Sequence, residues 1–116
     1  MNNFNFSVIE GYLAKDPVFE TVGGKHALCK FTVGSNRSYT NKAGEKVEES
    51  SFFDVTTWYK LAEVCAKYLH KGSRVLVSGN LRRDTWKDKE DRYQSRVYLE
   101  GREVNFLTTK KEALAA

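Results

Sequence analysis

Apolar side chains recur at every second position through most of this chain, which is the period of β-strands half-buried on one face. "FSVIEGYLA" reads as a first strand, ended by Lys15, Asp16 and Pro17 because proline cannot donate to a ladder. "VGGK" is a turn, and "HALCKFTVGSNRSY" a longer second strand with Ala27, Cys29, Phe31 and Val33 on one face. "TNKAGEKVEE" is a polar connector around Gly44, the tip of a long hairpin. "SSFFDVTTW" is a third strand, "SRVLVSGNLRRDTW" a fourth and "RYQSRVYLEGREVNFL" a fifth, the last two joined by the turn "KDKED". One stretch changes period. "YKLAEVCAKYLHKG" sets Leu61, Val64, Cys65, Tyr68 and Leu69 at helical spacing, with Gly72 where a C-terminal cap belongs and Lys67, His70 and Lys71 near the negative end of the dipole.

Three strands, one helix and two strands is the order of an all-β, five-stranded OB-fold barrel with a helix between strands three and four and extended hairpin loops. Faces then follow from parity. In the fourth strand Val75, Val77, Gly79 and Leu81 form the core face, which puts Trp86 on the polar face with Ser78, Asn80, Arg82 and Asp84. In the third, Phe52 and Trp58 share a face with Asp54 and Thr56, opposite Phe53 and Val55. In the second, the core face runs out at Ser35, Arg37 and Tyr39, where the strand leaves the barrel. One bulge would flip any of these assignments, so each aromatic taken singly is as consistent with core packing as with exposure. Four together, from three strands and each on or next to a polar face, are a pattern.

The charge sharpens that pattern. Lys and Arg outnumber Asp and Glu by 19 to 15, a net charge of +4, which leans towards polyanions. Arg37, Lys42, Lys60, Lys71, Arg82, Arg83, Lys87, Arg92 and Arg96 lie near Tyr39, Phe52, Trp58 and Trp86. Cations answer phosphates, and flat apolar rings give unpaired bases a surface to stack on without reading sequence. The first strand adds a second theme. Phe4, Phe6 and Val8 lie on one parity, Ile9 and Leu13 on the other. A strand apolar on both faces is covered on both, by a partner subunit or through a local bulge.

Other chemistries find little support. No glycine-rich loop opens a helix, since "TVGGKHA" lacks the spacing. His26 and His70 are far apart and have no cysteine or carboxylate set at metal spacing, so neither a metal nor a cofactor is expected. "VEES" and "KDKED" are hairpin-tip carboxylates rather than a catalytic pair, and no enzyme activity is expected. Cys29 follows a strand's apolar alternation and Cys65 a helix's stripe, as two buried thiols in a reducing compartment would. No stretch has the length of a membrane span and no signal peptide is evident, so a cytoplasmic protein without membrane contact is expected.

"GYLAKDP", "KLAEVCAKYLHKGSRVLVSGNLR" and "W-x-D" followed by "DRY" resemble the bacterial single-stranded DNA-binding protein family, over the chain from about Phe6 to Phe106. The resemblance implies an OB-fold homotetramer that binds single-stranded DNA without strong sequence preference, protecting and organising it in replication, recombination and repair. It implies base stacking at Tyr39, Phe52, Trp58 and Trp86. It implies basic contacts at Lys60, Lys71 and Arg82, to which Arg37, Lys42, Arg83, Lys87 and Arg96 are neighbours. It implies a subunit interface at Phe53, to which the first-strand residues Phe4, Phe6 and Val8 are added.

Two departures stand out. The family usually has tryptophan at the positions of Tyr39 and Phe52 and phenylalanine at that of Trp58, so the ring types are shuffled. It usually has basic residues just before the fourth-strand aromatic, where this chain has Asp84 and Thr85, which implies weaker phosphate contact there. Residues 1–107 are expected to form the DNA-binding domain, and 108–116 a short tail without the acidic tip by which the family recruits replication and repair proteins. The runners-up are a primosomal-type dimeric OB protein and an OB module that binds only protein.

Overall fold

The computed structural model describes residues 2–107. The expected tail, 108–116, lies outside them. The elements are β1 (Ser7–Leu13), β2 (Val18–Val22), β3 (His26–Thr40), β4 (Lys46–Trp58), α1 (Tyr59–Tyr68), β5 (Arg74–Lys87) and β6 (Tyr93–Phe106). The sheet runs β1-β5-β6-β4-β3-β2, and β1 also pairs with β3, closing the five strands β1, β5, β6, β4 and β3 into a barrel. That is the five-stranded OB-fold barrel with its helix between β4 and β5, plus one more strand than the alternation predicted.

The extra strand is β2, in a stretch the alternation left unassigned between Pro17 and the turn at "VGGK". It pairs antiparallel with β3 from Val18↔Lys30 to Val22↔His26. All five of its residues are exposed. A strand with no buried face leaves no periodic signal, and the ladder to β3 is its main support.

The core is built from Leu13, Cys29, Phe31, Val33, Val55, Val75, Val77 and Leu99 of the strands, with Ala62, Cys65 and Leu69 from the helical segment. Thr57 is fully buried, and its hydroxyl donates to the Cys29 carbonyl at 3.0 Å, which removes the cost of an unpaired polar group. Cys29 and Cys65 are free, buried thiols. Burial, together with the neighbouring Cys29 and against a hydrogen bond with Thr57, pushes Cys65 up to about 12.

Three local readings change, and β6 adds an irregularity where parity assigned no face. The helix ends at Tyr68, and Leu69 is its C-cap, its N–H bonded to the Cys65 carbonyl. Gly72 adopts φ +92°, but in the turn that follows, where its N–H bonds the Leu13 carbonyl, so it is not the helix cap. Tyr68 does not join the buried stripe; it is exposed, with its ring 6.3 Å from that of Phe106. Leu81 shares the parity of Val75 and Val77 yet is 45% exposed, because β5 has by then left the barrel. Finally, β6 carries a bulge. Ser78 pairs with Glu103 and Gly79 with Gly101, so Arg102 is the extra residue. The buried parity of β6 therefore switches from Leu99 and Gly101 to Val104. Gly79 makes the close approach possible, since a Cβ there would overlap the Glu100 carbonyl.

Candidate nucleic-acid interface

Two arms project beyond the barrel. The β3–β4 ladder is unbroken over thirteen pairs, from Leu28↔Trp58 to Thr40↔Lys46. The β5–β6 ladder continues past the barrel to Lys87↔Tyr93. Both tips are tied in the same way. Asn41 Oδ1 accepts from the amides of Ala43 (3.0 Å) and Glu45 (2.9 Å), and Asp88 Oδ1 from those of Glu90 (2.9 Å) and Arg92 (3.0 Å). Gly44 (φ +81°) and Asp91 (φ +64°) hold the same left-handed position four residues into each.

The pairing register sorts the aromatics. On the outer face of β4, Phe52 pairs with Gly34 and Trp58 with Leu28. Gly34 is required here: a Cβ would lie 2.8 Å from the Tyr12 ring and 3.0 Å from the Phe52 ring, so both rings settle over bare backbone. Phe52 is 57% exposed. Trp58 is half-buried, its ring 6.2 Å from that of Tyr59. On β5, Trp86 is 46% exposed and shares its face with Asp84 and Arg82, which pair with Arg96 and Tyr98. An ion pair from Arg96 to Asp54 (3.6 Å) ties this arm to the outer face of β4. Phe52, Trp58 and Trp86 thus border one outer surface. Tyr39 does not share their parity. It lies on the face of Phe53, with its hydroxyl donating to Glu49 (3.0 Å) and Arg37 4.9 Å from its ring centre.

The cations divide likewise. Arg82 and Arg96 lie on the Trp86 face. Arg82 is paired with Glu100 at 3.3 Å, and the same carboxylate holds Arg102 at 3.2 Å. Glu100 is largely buried, but both guanidinium groups are exposed and open to a phosphate on their outer side. Arg83 and Lys87 fall on the opposite face of the arm: Arg83 donates to Ser95 (3.2 Å), and Lys87 sits 5.0 Å from the Tyr93 ring and 3.5 Å from Asp91. Arg92 pairs with Asp88 within the tip. Lys42 is exposed at the β3–β4 tip, Lys60 near the start of α1, and Lys71 in the turn after it, where its amide bonds Asp16.

Two rings of this surface went unread in the sequence. Tyr98 lies between Arg82 and Asp84, its hydroxyl 3.4 Å from the Asp84 carboxylate, and burial, then the Asp84 charge, raise its pKa. Parity along the fifth strand would have found it beside Arg96. Tyr12, on the even face of the first strand, would have been found the same way.

Phe4, Phe6, Val8 and Phe53 are exposed on the single chain, Phe4 by 94%. Asn5 anchors this segment to β5: its amide donates to the Leu81 carbonyl and accepts the Leu81 N–H, both at 3.0 Å. Residues 7–11 pair with β5 alone, because β3 meets β1 only at Tyr12 and Leu13.

A five-stranded OB barrel with two projecting arms and an aromatic, arginine-bearing outer surface is the class that fold and site together define. Residues 4–107 match the model of the Single-strand binding protein family. Among relatives, the chain is 39% identical over 113 residues to "Single-stranded DNA-binding protein 1" of Clostridium acetobutylicum, covering 95% of this chain and 99% of that one. It is 34% identical over 113 residues to "Single-stranded DNA-binding protein 2" of Chlorobaculum tepidum, covering 97% and 76%. A Plasmodium falciparum SSB in complex with ssDNA shares the fold with a TM-score of 0.83 at 18% identity, over 92% of this chain and 97% of that chain. A deletion mutant of the Thermus aquaticus single-stranded DNA binding protein gives 0.81 at 20%, over 94% of this chain and 53% of that one. The chain belongs to the single-strand binding protein family.

Among the described residues no helix is long and apolar enough to cross a membrane, and no three of His, Cys, Asp or Glu converge as metal ligands.

Proposed function

We propose that this protein binds single-stranded DNA without strong sequence preference, as a homotetramer, protecting and organising the strand in replication, recombination and repair, and that it does so without enzymatic chemistry. The observation that carries the reading is the outer surface bordered by the exposed Phe52 and Trp86 and the half-buried Trp58, which also bears Arg82 and Arg96. Rings stack on unpaired bases and the guanidinium groups answer phosphates. The curated relatives named for single-stranded DNA binding support it. Tyr39 and Arg37, on the other face of the β3–β4 arm, fit a strand that wraps round the arm. Lys42, Lys60, Lys71, Arg83 and Lys87 act as peripheral phosphate contacts in this reading.

Assembly accounts for what the outer surface does not use. Phe4, Phe6, Val8 and Phe53 are apolar and exposed, and residues 7–11 leave one edge of β1 without a strand partner among the described residues. A second copy covers both, since an uncapped strand edge beside apolar side chains is a template for association.

A fluorescence titration with oligo(dT), followed by light scattering, tests both parts. Tryptophan emission should be quenched, and binding should weaken as salt rises through counterion release while keeping a stacking component. Absence of quenching overturns the DNA reading, and a dimeric mass overturns the tetramer. Phe53→Asp should lower the mass; an unchanged mass removes Phe53 from the interface.

A further inference from the structure

Tyr59 is the one described residue at which a bulky side chain occupies left-handed backbone. Its φ is +58°, between the half-buried Trp58 and the first turn of α1. Glycine would make this turn without strain, whereas a ring-bearing residue is destabilised there. Nothing in the core repays that strain, because Tyr59 is 60% exposed. The backbone instead brings the ring into an aromatic row. It meets His26 edge-on, with centroids 5.6 Å apart and planes at 85°, and Trp58 at 6.2 Å and 42°.

The row lines a cavity of about 470 Å³ together with Leu61, Glu100 and Arg102. That volume lies within the range of small-ligand sites, roughly 300–1,000 Å³. Arg102, the bulge residue of β6, is fixed there by Glu100 (3.2 Å) and by Asn80, which accepts from its Nε at 3.2 Å. A mostly apolar, aromatic-walled slot with a fixed guanidinium at its side suits a flat heterocycle attached to a phosphate. Strain held at a surface position beside such a slot points to a role in binding.

We propose that Tyr59 and His26, together with Trp58, form a further base-stacking subsite that takes one nucleobase of the bound strand, with Arg102 facing the adjoining phosphate. The proposal rests on the single-stranded DNA reading above and adds Tyr59, His26 and Arg102 to it. The subsite extends the outer surface past Trp58 to the β2–β3 turn, so β2 has a use: it holds His26 in place.

The test compares Tyr59→Gly, Tyr59→Phe and His26→Ala in the full chain by oligo(dT) titration, urea unfolding and light scattering. Tyr59→Gly should bind roughly five- to 150-fold more weakly, the range for loss of one stacked base, while its unfolding midpoint rises because the strain is gone. Tyr59→Phe should bind as the wild type does, and His26→Ala should bind more weakly with unchanged mass. Wild-type affinity in Tyr59→Gly overturns the subsite. A lower unfolding midpoint would make the ring a structural support instead, and an altered mass would assign it to the subunit interface. If the unsubstituted protein does not bind oligo(dT), the DNA reading fails and takes the subsite with it. Binding by the wild type with no change in Tyr59→Gly fails the subsite alone.

Discussion

Leu81 and Leu99 face each other across the β5–β6 ladder, yet Leu99 is 1% exposed and Leu81 45%. Both follow the inward parity of their strands. The difference is what lies around them. At Leu99, β6 also meets β4, through Val55↔Leu99, and the barrel closes over the side chain. At Leu81 the pair is leaving the barrel, and the N-terminal segment at Asn5 is the added neighbour. The same division runs through β3 and β4, where Val33 and Val55 are fully buried while Phe53, which pairs with Val33, is 43% exposed. Each long strand is thus two things in succession: a barrel stave whose alternation makes a core, and an arm whose alternation leaves two usable faces.

Substitution across the Leu81–Leu99 pair is the strongest way to break this contrast. Leu99→Ala should cost roughly 2–5 kcal/mol of stability, the range for a buried leucine emptied into a packed core. Leu81→Ala should stay within about 0.5 kcal/mol. Urea midpoints at one protein concentration check both, and similar losses would mean that the arm is as buried as the barrel, through assembly. Next in size is the arm's contribution to binding. Trp86→Ala should weaken oligo(dT) binding by roughly 1–3 kcal/mol and leave the unfolding midpoint unchanged. Trp58→Ala, at a half-buried position where arm meets barrel, should lose both affinity and stability.

The smallest effect separates the two arm tips. They share one hydrogen-bond pattern, but Asn41 is neutral and Asp88 ionises. Backbone hydrogen bonding from Arg92 comes first, and bonds from Gln94 and Glu90 add to it, in holding the Asp88 carboxyl below its ordinary 3.8. A depressed carboxylate stabilises the folded form above its ordinary value, and that contribution is lost as pH falls through the depressed one. Acidification below about pH 4 should therefore shift the amide resonances of Glu90 and Arg92 while those of Ala43 and Glu45 hold. Equal movement at both tips would show that the Asp88 charge is not what ties its turn.

Much of the site could be read from parity because β4 and β5 themselves carry no extra residue, the bulge of the β5–β6 ladder lying on β6. Phe52, Trp58, Trp86 and Arg82 fall on the outward face that their position numbers indicate. Arg83 and Lys87, counted as neighbours of the rings by proximity along the chain, fall on the other face for the same reason. Proximity in sequence does not survive a period of two. Tyr39 shows the limit from the other side: its parity is inward, and it is exposed only because no barrel remains at that point of β3.

The alternation and the one stretch of helical spacing were enough to establish a five-stranded barrel with a helix, two long hairpins, a buried Cys29 and Cys65, and rings among cations. These are local consequences of where apolar side chains recur. Tertiary structure alone decided where staves become arms, that β2 exists, that Arg102 flips the parity of β6, and that Tyr59 stands beside His26. Each depends on something other than the period of apolar side chains: β4 covering Leu99, β3 holding an otherwise exposed strand, Gly79 admitting a close backbone, a left-handed turn aiming a ring. The period of a strand records which side chains share a face, and only the packed chain determines whether that face is covered.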